Sequence, residues 1–303
     1  MIFTATNIVK QYPRSKFQLQ VPNITLSEGA IVGVVGENGN GKTTFLNIVA
    51  GELEASGSLN YFGEEVKQDT DWSALKSKIA FIPQRIPRWY GSLIQNLKLK
   101  AALDGIPAEE SDAYLDEILS FLGLMDYKHL KWTEISTGYR LRFELARMLI
   151  GKPNLLVLDE PLANLDINTQ QKFLSDLKNI LQDKSYSTAV ILSSQQLHEI
   201  ETVSDHMIFL RKGESVFSGA VNELEADHDQ FVFEVQVEAA DKARLLTYLQ
   251  ANNLTYGATG EYLQVSIDKT GTSNDFLSDL IKEGFTVKYY RNISKSTKRL
   301  FNQ

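Results

Sequence analysis

Gly36-Glu37-Asn38-Gly39-Asn40-Gly41-Lys42-Thr43 is the stretch on which the reading of the chain turns. It fits the pattern G-x-x-x-x-G-K-[ST] and follows the apolar run Ile31 to Val35, so it reads as strand, loop, helix. A polyphosphate needs several backbone N–H groups turned inward around it. Only glycine bends that tightly without a Cβ in the way, which accounts for Gly36, Gly39 and Gly41. Glu37, Asn38 and Asn40 complete the cradle. Lys42 then reaches the β- and γ-phosphates and Thr43 sets its hydroxyl on Mg²⁺. The helix that opens at Lys42, with Thr43, Thr44, Phe45 and Leu46 in its first turns, points its positive end at the anion.

Working outward, 303 residues are long for one domain and comfortable for two, and 43% hydrophobic with 23% charged is ordinary globular composition. No apolar run approaches the roughly 20 residues that cross a bilayer, and the N-terminus lacks the pattern of a secretory signal. The expected location is the cytoplasm. With no cysteine there are no disulfides or thiolate metal sites, and the four histidines are scattered without ligand spacing. A net charge of −7 argues against gripping a nucleic-acid backbone, so no nucleic-acid partner is expected. Lys288, Arg291, Lys295, Lys298 and Arg299 make a basic tail that reads as a solvated face.

Alternation at Ile2, Thr4 and Thr6 and at Phe17, Leu19 and Val21 predicts two antiparallel strands at the start. Gly57 to Gly63 and Lys78 to Gln84 read as further strands. Helical spacing takes over from Ser92 to about Met125, and Ser136 precedes a further helix that carries Leu141 to Leu149, an inserted block over about 92–150. Leu155-Leu156-Val157-Leu158 is a buried strand ending on Asp159-Glu160. Helix (168–181), strand (189–193), helix (195–203) and strand (207–210) then continue an α/β alternation, which implies a mainly parallel sheet. Glu223, Glu225, Asp227 and Asp229 mark a linker over 223–230, so the domains are expected at 1–222 and 231–303. The second alternates strands with two amphipathic helices, an α+β unit of ferredoxin-like type.

The order of these motifs resembles that of ATP-binding-cassette (ABC) transporter ATPases over about the first three quarters of the chain. Leu155 to Pro161 is similar to the family's Walker B strand. The resemblance implies that Asp159 supports Mg²⁺ and that Glu160 polarises the attacking water, jobs suited to carboxylates at the end of a buried strand. Gln84 falls at the Q-loop glutamine, which senses the metal and links the core to the helical insert. Tyr12 resembles the aromatic that stacks on adenine. Ala163-Asn164-Leu165-Asp166 resembles the D-loop, which crosses to a second subunit.

Two positions depart from the family. Its signature loop, Leu-Ser-Gly-Gly-Gln, stands here as Ile135-Ser136-Thr137-Gly138-Tyr139. Ser136 and Gly138 are retained to meet the partner's nucleotide, while Thr137 and the Tyr139 ring add bulk where close backbone approach is wanted. Gln195 replaces the switch histidine; it can hydrogen-bond the γ-phosphate but cannot become a cation, and His198 is expected on the surface.

The resemblance therefore implies an α/β P-loop ATPase core with an antiparallel β subdomain and a helical insert, followed by an accessory domain like that of some exporter ATPases. The cofactors are ATP and Mg²⁺, with Thr43, Gln84 and Asp159 at the metal and Glu160, Gln195 and Gln84 at the reacting phosphate. The expected partners are a separate integral-membrane subunit and a second ATPase subunit, either a copy or a related chain, attached at the cytoplasmic face of the membrane. Two rival readings stand beside this one: an ATP-gated binding module that hydrolyses very slowly, and a soluble cassette protein acting on nucleic acid or ribosomes.

Overall fold

In the computed structural model, residues 1–226, 230–259, 262–268 and 275–292 are described. They fall into two units, Met1–Gly219 and the residues from Ala220 onward.

The first unit contains strands β1 (Phe3–Gln11), β2 (Gln18–Val21), β3 (Ile24–Leu26), β4 (Ile31–Val35), β5 (Ser56–Tyr61), β6 (Glu64–Glu65), β7 (Ile79–Ile82), β8 (Leu155–Leu158), β9 (Ala189–Ser194), β10 (His206–Arg211) and β11 (Glu214–Ala220). They form one sheet in the order β6-β5-β1-β2-β11-β10-β4-β9-β8-β7, with β3 paired to β1. From β10 to β7 every pair is parallel. β1 is antiparallel to β2, β3 and β5. The division follows from the sequence: β4, β8 and β9 are buried at every position, as strands covered on both faces must be. Helix Lys42–Val49 sends Phe45, Leu46, Ile48 and Val49 into the core formed with Val32, Val34, Val157 and Ile191.

This order positions the site. β4 is followed by the phosphate loop, and its neighbours β9 and β10 arrive late in the chain. Because β4, β8 and β9 run parallel, their carboxyl ends share one edge of the sheet, where open α/β sheets bind ligands. Gly36 to Thr43, Asp159-Glu160 and Gln195 therefore meet.

The helical insert comprises helices Leu93–Leu103, Ala108–Phe121 and Thr137–Leu149. Ser92 and Gln95 form a capping box at its entry. Trp89, in the segment after Gln84, fastens that segment to the insert: its ring stacks on Trp132 with centroids 4.9 Å apart, and its Nε1 donates to the buried Glu144 at 3.1 Å.

The second unit has strands β12 (Gln230–Val237), β13 (Thr255–Thr259), β14 (Tyr262–Asp268) and β15 (Val287–Asn292), ordered β13-β14-β12-β15 with antiparallel pairs throughout. Helices Lys242–Ala251 and Asp275–Lys282 give its core Leu245, Leu249, Phe276 and Leu280. This is the expected ferredoxin-like order.

Several elements differ from expectation. The helix expected over 195–203 is only Leu197–Ile200, because β9 runs on through Ser194, whose hydroxyl takes the Gln196 N–H and keeps the turn open. β3, β6, β11 and helix Trp72–Lys76 are additional. The stretch expected as linker over 223–230 begins as helix Val221–Ala226, while 227–229 lie outside the described residues. So do Lys295, Lys298 and Arg299 of the basic tail and the side chain of His198. Among the described residues, no helix is long and apolar enough to cross a membrane.

Candidate functional site

The loop between β4 and helix Lys42–Val49 has the shape its glycines require. Gly39 and Gly41 sit at φ 81° and 101°, in the left-handed region that side chains rarely adopt. A Cβ on Gly41 would also stand 2.9 Å from the Phe17 ring and the Leu19 side chain. Gly41 is the N-cap of the helix and offers no side-chain cap, so the first helical N–H groups face the loop's hollow. Asn40 also has a task at its side chain. Its side chain is buried and accepts the Lys212 N–H at 2.9 Å, tying the loop to the turn after β10.

Inside the loop the Lys42 ammonium donates to the carbonyls of Gly36 at 2.7 Å and Glu37 at 3.1 Å. It also pairs with Glu160 Oε1 at 3.0 Å, both side chains being about 95% or more buried. Glu160 Oε2 accepts from two amides, Gln84 Nε2 at 2.9 Å and Gln195 Nε2 at 2.6 Å. One carboxylate thus gathers a lysine and two glutamines from three separate segments. Thr43 Oγ1 donates to Asp159 Oδ2 at 2.8 Å. Ser193, buried on β9, donates to Asp159 Oδ1 at 2.8 Å and accepts the Glu160 N–H at 2.8 Å.

Lys42, Thr43, Gln84 and Glu160 line a cleft of about 400 Å³ with Tyr12, Ser15, Phe17, Asn38, Gly39, Gly41 and Thr44, while Asp159, Ser193 and Gln195 lie outside that lining. Tyr12 shares a hydrogen bond with Thr44 Oγ1 at 3.3 Å, and its ring is about one third exposed, open to a planar partner. Thr43 and Asp159 place two oxygen donors 2.8 Å apart beside the phosphate loop. Among the described residues no cluster of three or more His, Cys, Asp or Glu forms a metal cage. That donor set suits Mg²⁺, which binds through one or two protein oxygens together with phosphate and water.

Ser136 and Gly138 are not on the walls of this cleft. Ser136 caps its own helix, accepting the Tyr139 N–H at 3.3 Å. Gly138 is required for packing within the chain, since a Cβ there would fall 2.3 Å from Thr169 Cγ2. The bulk expected from Tyr139 at the loop's outer face is also absent. The ring lies against Tyr127 at 4.2 Å, and its hydroxyl donates to Tyr127 Oη at 2.8 Å. In the segment that resembles the D-loop, Asn164 has φ 63°, and the Thr169 hydroxyl holds the Asp166 carboxyl below the usual carboxylate range.

Ser15, Phe17 and Ser193 escaped the sequence reading; Ser15 lay in the turn before the second strand and accepts the Phe17 N–H at 3.0 Å. Phe17 counted only as one position in an alternating strand, and Ser193 looked like any small residue near a strand end. Both acquire meaning from elements far away in sequence, so spacing alone carries no trace of them.

Comparison with known proteins follows the same lines. The "ABC transporter" family model matches residues 19–163. The chain is 27% identical over 279 residues to the uncharacterized ABC transporter ATP-binding protein YxlF of Bacillus subtilis, covering 91% of this chain and 90% of that protein. It is 31% identical over 217 residues to the tungstate uptake system ATP-binding protein TupC of Peptoclostridium acidaminophilum, covering 70% and 96%. Among solved structures, the dimeric post-hydrolysis state of the ATP-binding cassette MJ0796 bound to ADP and Pi aligns with a TM-score of 0.62 at 22% identity, covering 72% of this chain and 98% of that one.

Proposed function

The chain belongs to the ABC transporter family as an ATP-binding ATPase subunit, and we propose that it drives an exporter by closing a head-to-tail dimer on ATP beneath a separate membrane subunit. The observation that carries the reading is the convergence of Lys42, Gln84 and Gln195 on Glu160 beside the phosphate loop. Lys42 and the loop amides neutralise phosphate charge, and Tyr12 stacks on adenine. Thr43 and Asp159, with Gln84 beside them, would hold Mg²⁺, which would offset the phosphate charge. Glu160 orients a water for in-line attack on the γ-phosphorus, whose bond to the bridging oxygen breaks as ADP leaves. Gln84 and Gln195 turn from Glu160 toward the γ-phosphate when it arrives. Ser136 and the N-terminus of helix Thr137–Leu149 face the nucleotide of the second subunit.

Turnover in this reading is slow, because Gln195 supplies a neutral amide where the family places a histidine. The exporter assignment leans on the second unit as an accessory domain, and YxlF has matching length through that region. The opposite direction has support of its own in the name of TupC, an uptake system. Purification of the chain from membranes with its integral partner, followed by transport in inside-out vesicles, separates the two. ATP-dependent accumulation inside such vesicles is the result expected for an exporter, and ATP-dependent release of preloaded cargo would reverse the direction.

A further inference from the structure

Ser193 is completely buried, and its hydroxyl makes two hydrogen bonds of opposite sense. It donates to Asp159 Oδ1 and accepts the N–H of Glu160, each at 2.8 Å. The first bond acts on a side chain. Since Thr43 holds the other oxygen of Asp159 at 2.8 Å, both oxygens are engaged and the plane of the carboxylate is set. The second bond acts on a backbone. Glu160 stands at φ 45°, a left-handed conformation uncommon outside glycine, which persists where its surroundings hold it. The Ser193 hydroxyl is the group that holds its N–H.

We propose that Ser193 is a positioning residue for hydrolysis, aiming the Asp159 carboxylate and locking the backbone from which Glu160 reaches into the cleft. The inference rests on the roles of Asp159 and Glu160 given above. It separates two parts of the site: Lys42, Thr43 and the loop amides grip the nucleotide without Ser193, while the direction of both carboxylates passes through it. Loss of the hydroxyl leaves Asp159 Oδ1 and the Glu160 N–H without their partner in a fully buried place, where neither is replaced by bulk water.

The test compares the full-length wild type with Ser193→Ala, Ser193→Thr and Glu160→Gln. Ser193→Ala is expected to lower kcat by about tenfold to a hundredfold and to raise the Mg²⁺ concentration for half-maximal turnover in proportion, the usual cost of removing a group that orients a metal-holding carboxylate. ATP affinity measured by calorimetry in EDTA stays within about twofold, since surface grip on the phosphates is untouched. Amide hydrogen exchange at Glu160, read by NMR without nucleotide, becomes faster. Ser193→Thr, which keeps the hydroxyl, recovers most of both losses. Where Ser193→Ala fails to fold, Ser193→Cys carries the same test, because a thiol keeps the volume and is a weak donor and acceptor. Wild-type kcat, Mg²⁺ requirement and Glu160 amide protection in the variant, alongside an inactive Glu160→Gln, would overturn the role of Ser193 alone. A fully active Glu160→Gln would instead overturn the role of Glu160, and amide exchange would still decide whether Ser193 holds its backbone.

Discussion

Two helix N-termini of the first unit, Lys42–Val49 and Thr137–Leu149, use their side chains in opposite ways. At the first, Lys42 and Thr43 turn toward carboxylates on another strand, and Gln84 and Gln195 arrive from two further segments to meet them. At the second, the polar groups are occupied close by. Ser136 caps its own helix, Tyr139 bonds Tyr127, and Gly138 is pressed against Thr169. One loop is a centre built from distant parts, and the other is an N-terminus held by its own cap and its packing. The difference teaches that the phosphate centre is assembled from distant parts of one chain, while the side chains at the second helix are spent on contacts within that chain, so that in the proposed dimer only its backbone N–H groups would be left to offer.

The largest expected effect tests the first half of that contrast. Glu160→Gln keeps the shape and removes the carboxylate, and kcat should fall by about two to four orders of magnitude, the range of a positioned acid–base group. Steady-state phosphate release measures it. A small loss would mean that the convergence on Glu160 is structural.

Gln195→His comes next and sharpens the comparison from within. Gln195 donates to Glu160 at 2.6 Å, so it already belongs to the phosphate centre and differs from the family only in donor strength. A histidine should raise kcat by about tenfold or more, toward the hundredfold typical of one preorganised donor, with little change in ATP affinity. Parallel ATPase and calorimetric titrations check it. Equal turnover in the two proteins would show that Glu160 suffices and that the amide is tolerated.

The smallest effect belongs to the second loop. Tyr139→Phe removes the bond to Tyr127 and leaves the helix N-terminus as it was. Turnover should stay within about twofold, as for a substitution away from any special feature. Steady-state phosphate release checks it. A large change in rate would place the Tyr139 side chain in the chemistry after all.

What the sequence makes legible follows the physics of each part. The run Ile31 to Val35 reads as a buried strand because both its faces are covered, and the phosphate loop reads from its glycines because φ at Gly39 and Gly41, and the Leu210 carbonyl 2.6 Å from where a Gly36 Cβ would stand, exclude other residues. Asp159 and Glu160 read from their place at the end of β8. Short elements such as β6 and β3 do not read, since two or three residues carry no periodicity. Tyr139 was expected to crowd the outer face of its loop, and nothing in its position in sequence shows that Tyr127 draws the ring inward. Ser193 is the same case within the site: its two bonds exist only because β9 lies beside β8.

In the proposed dimer the phosphate loop of one chain and helix Thr137–Leu149 of a second complete one site. Light scattering on Glu160→Gln, with and without ATP and Mg²⁺, tests it directly. With hydrolysis blocked, the protein should be a monomer without nucleotide and a dimer with it. A monomer under both conditions, in a sample shown by calorimetry to bind ATP, would contradict the account.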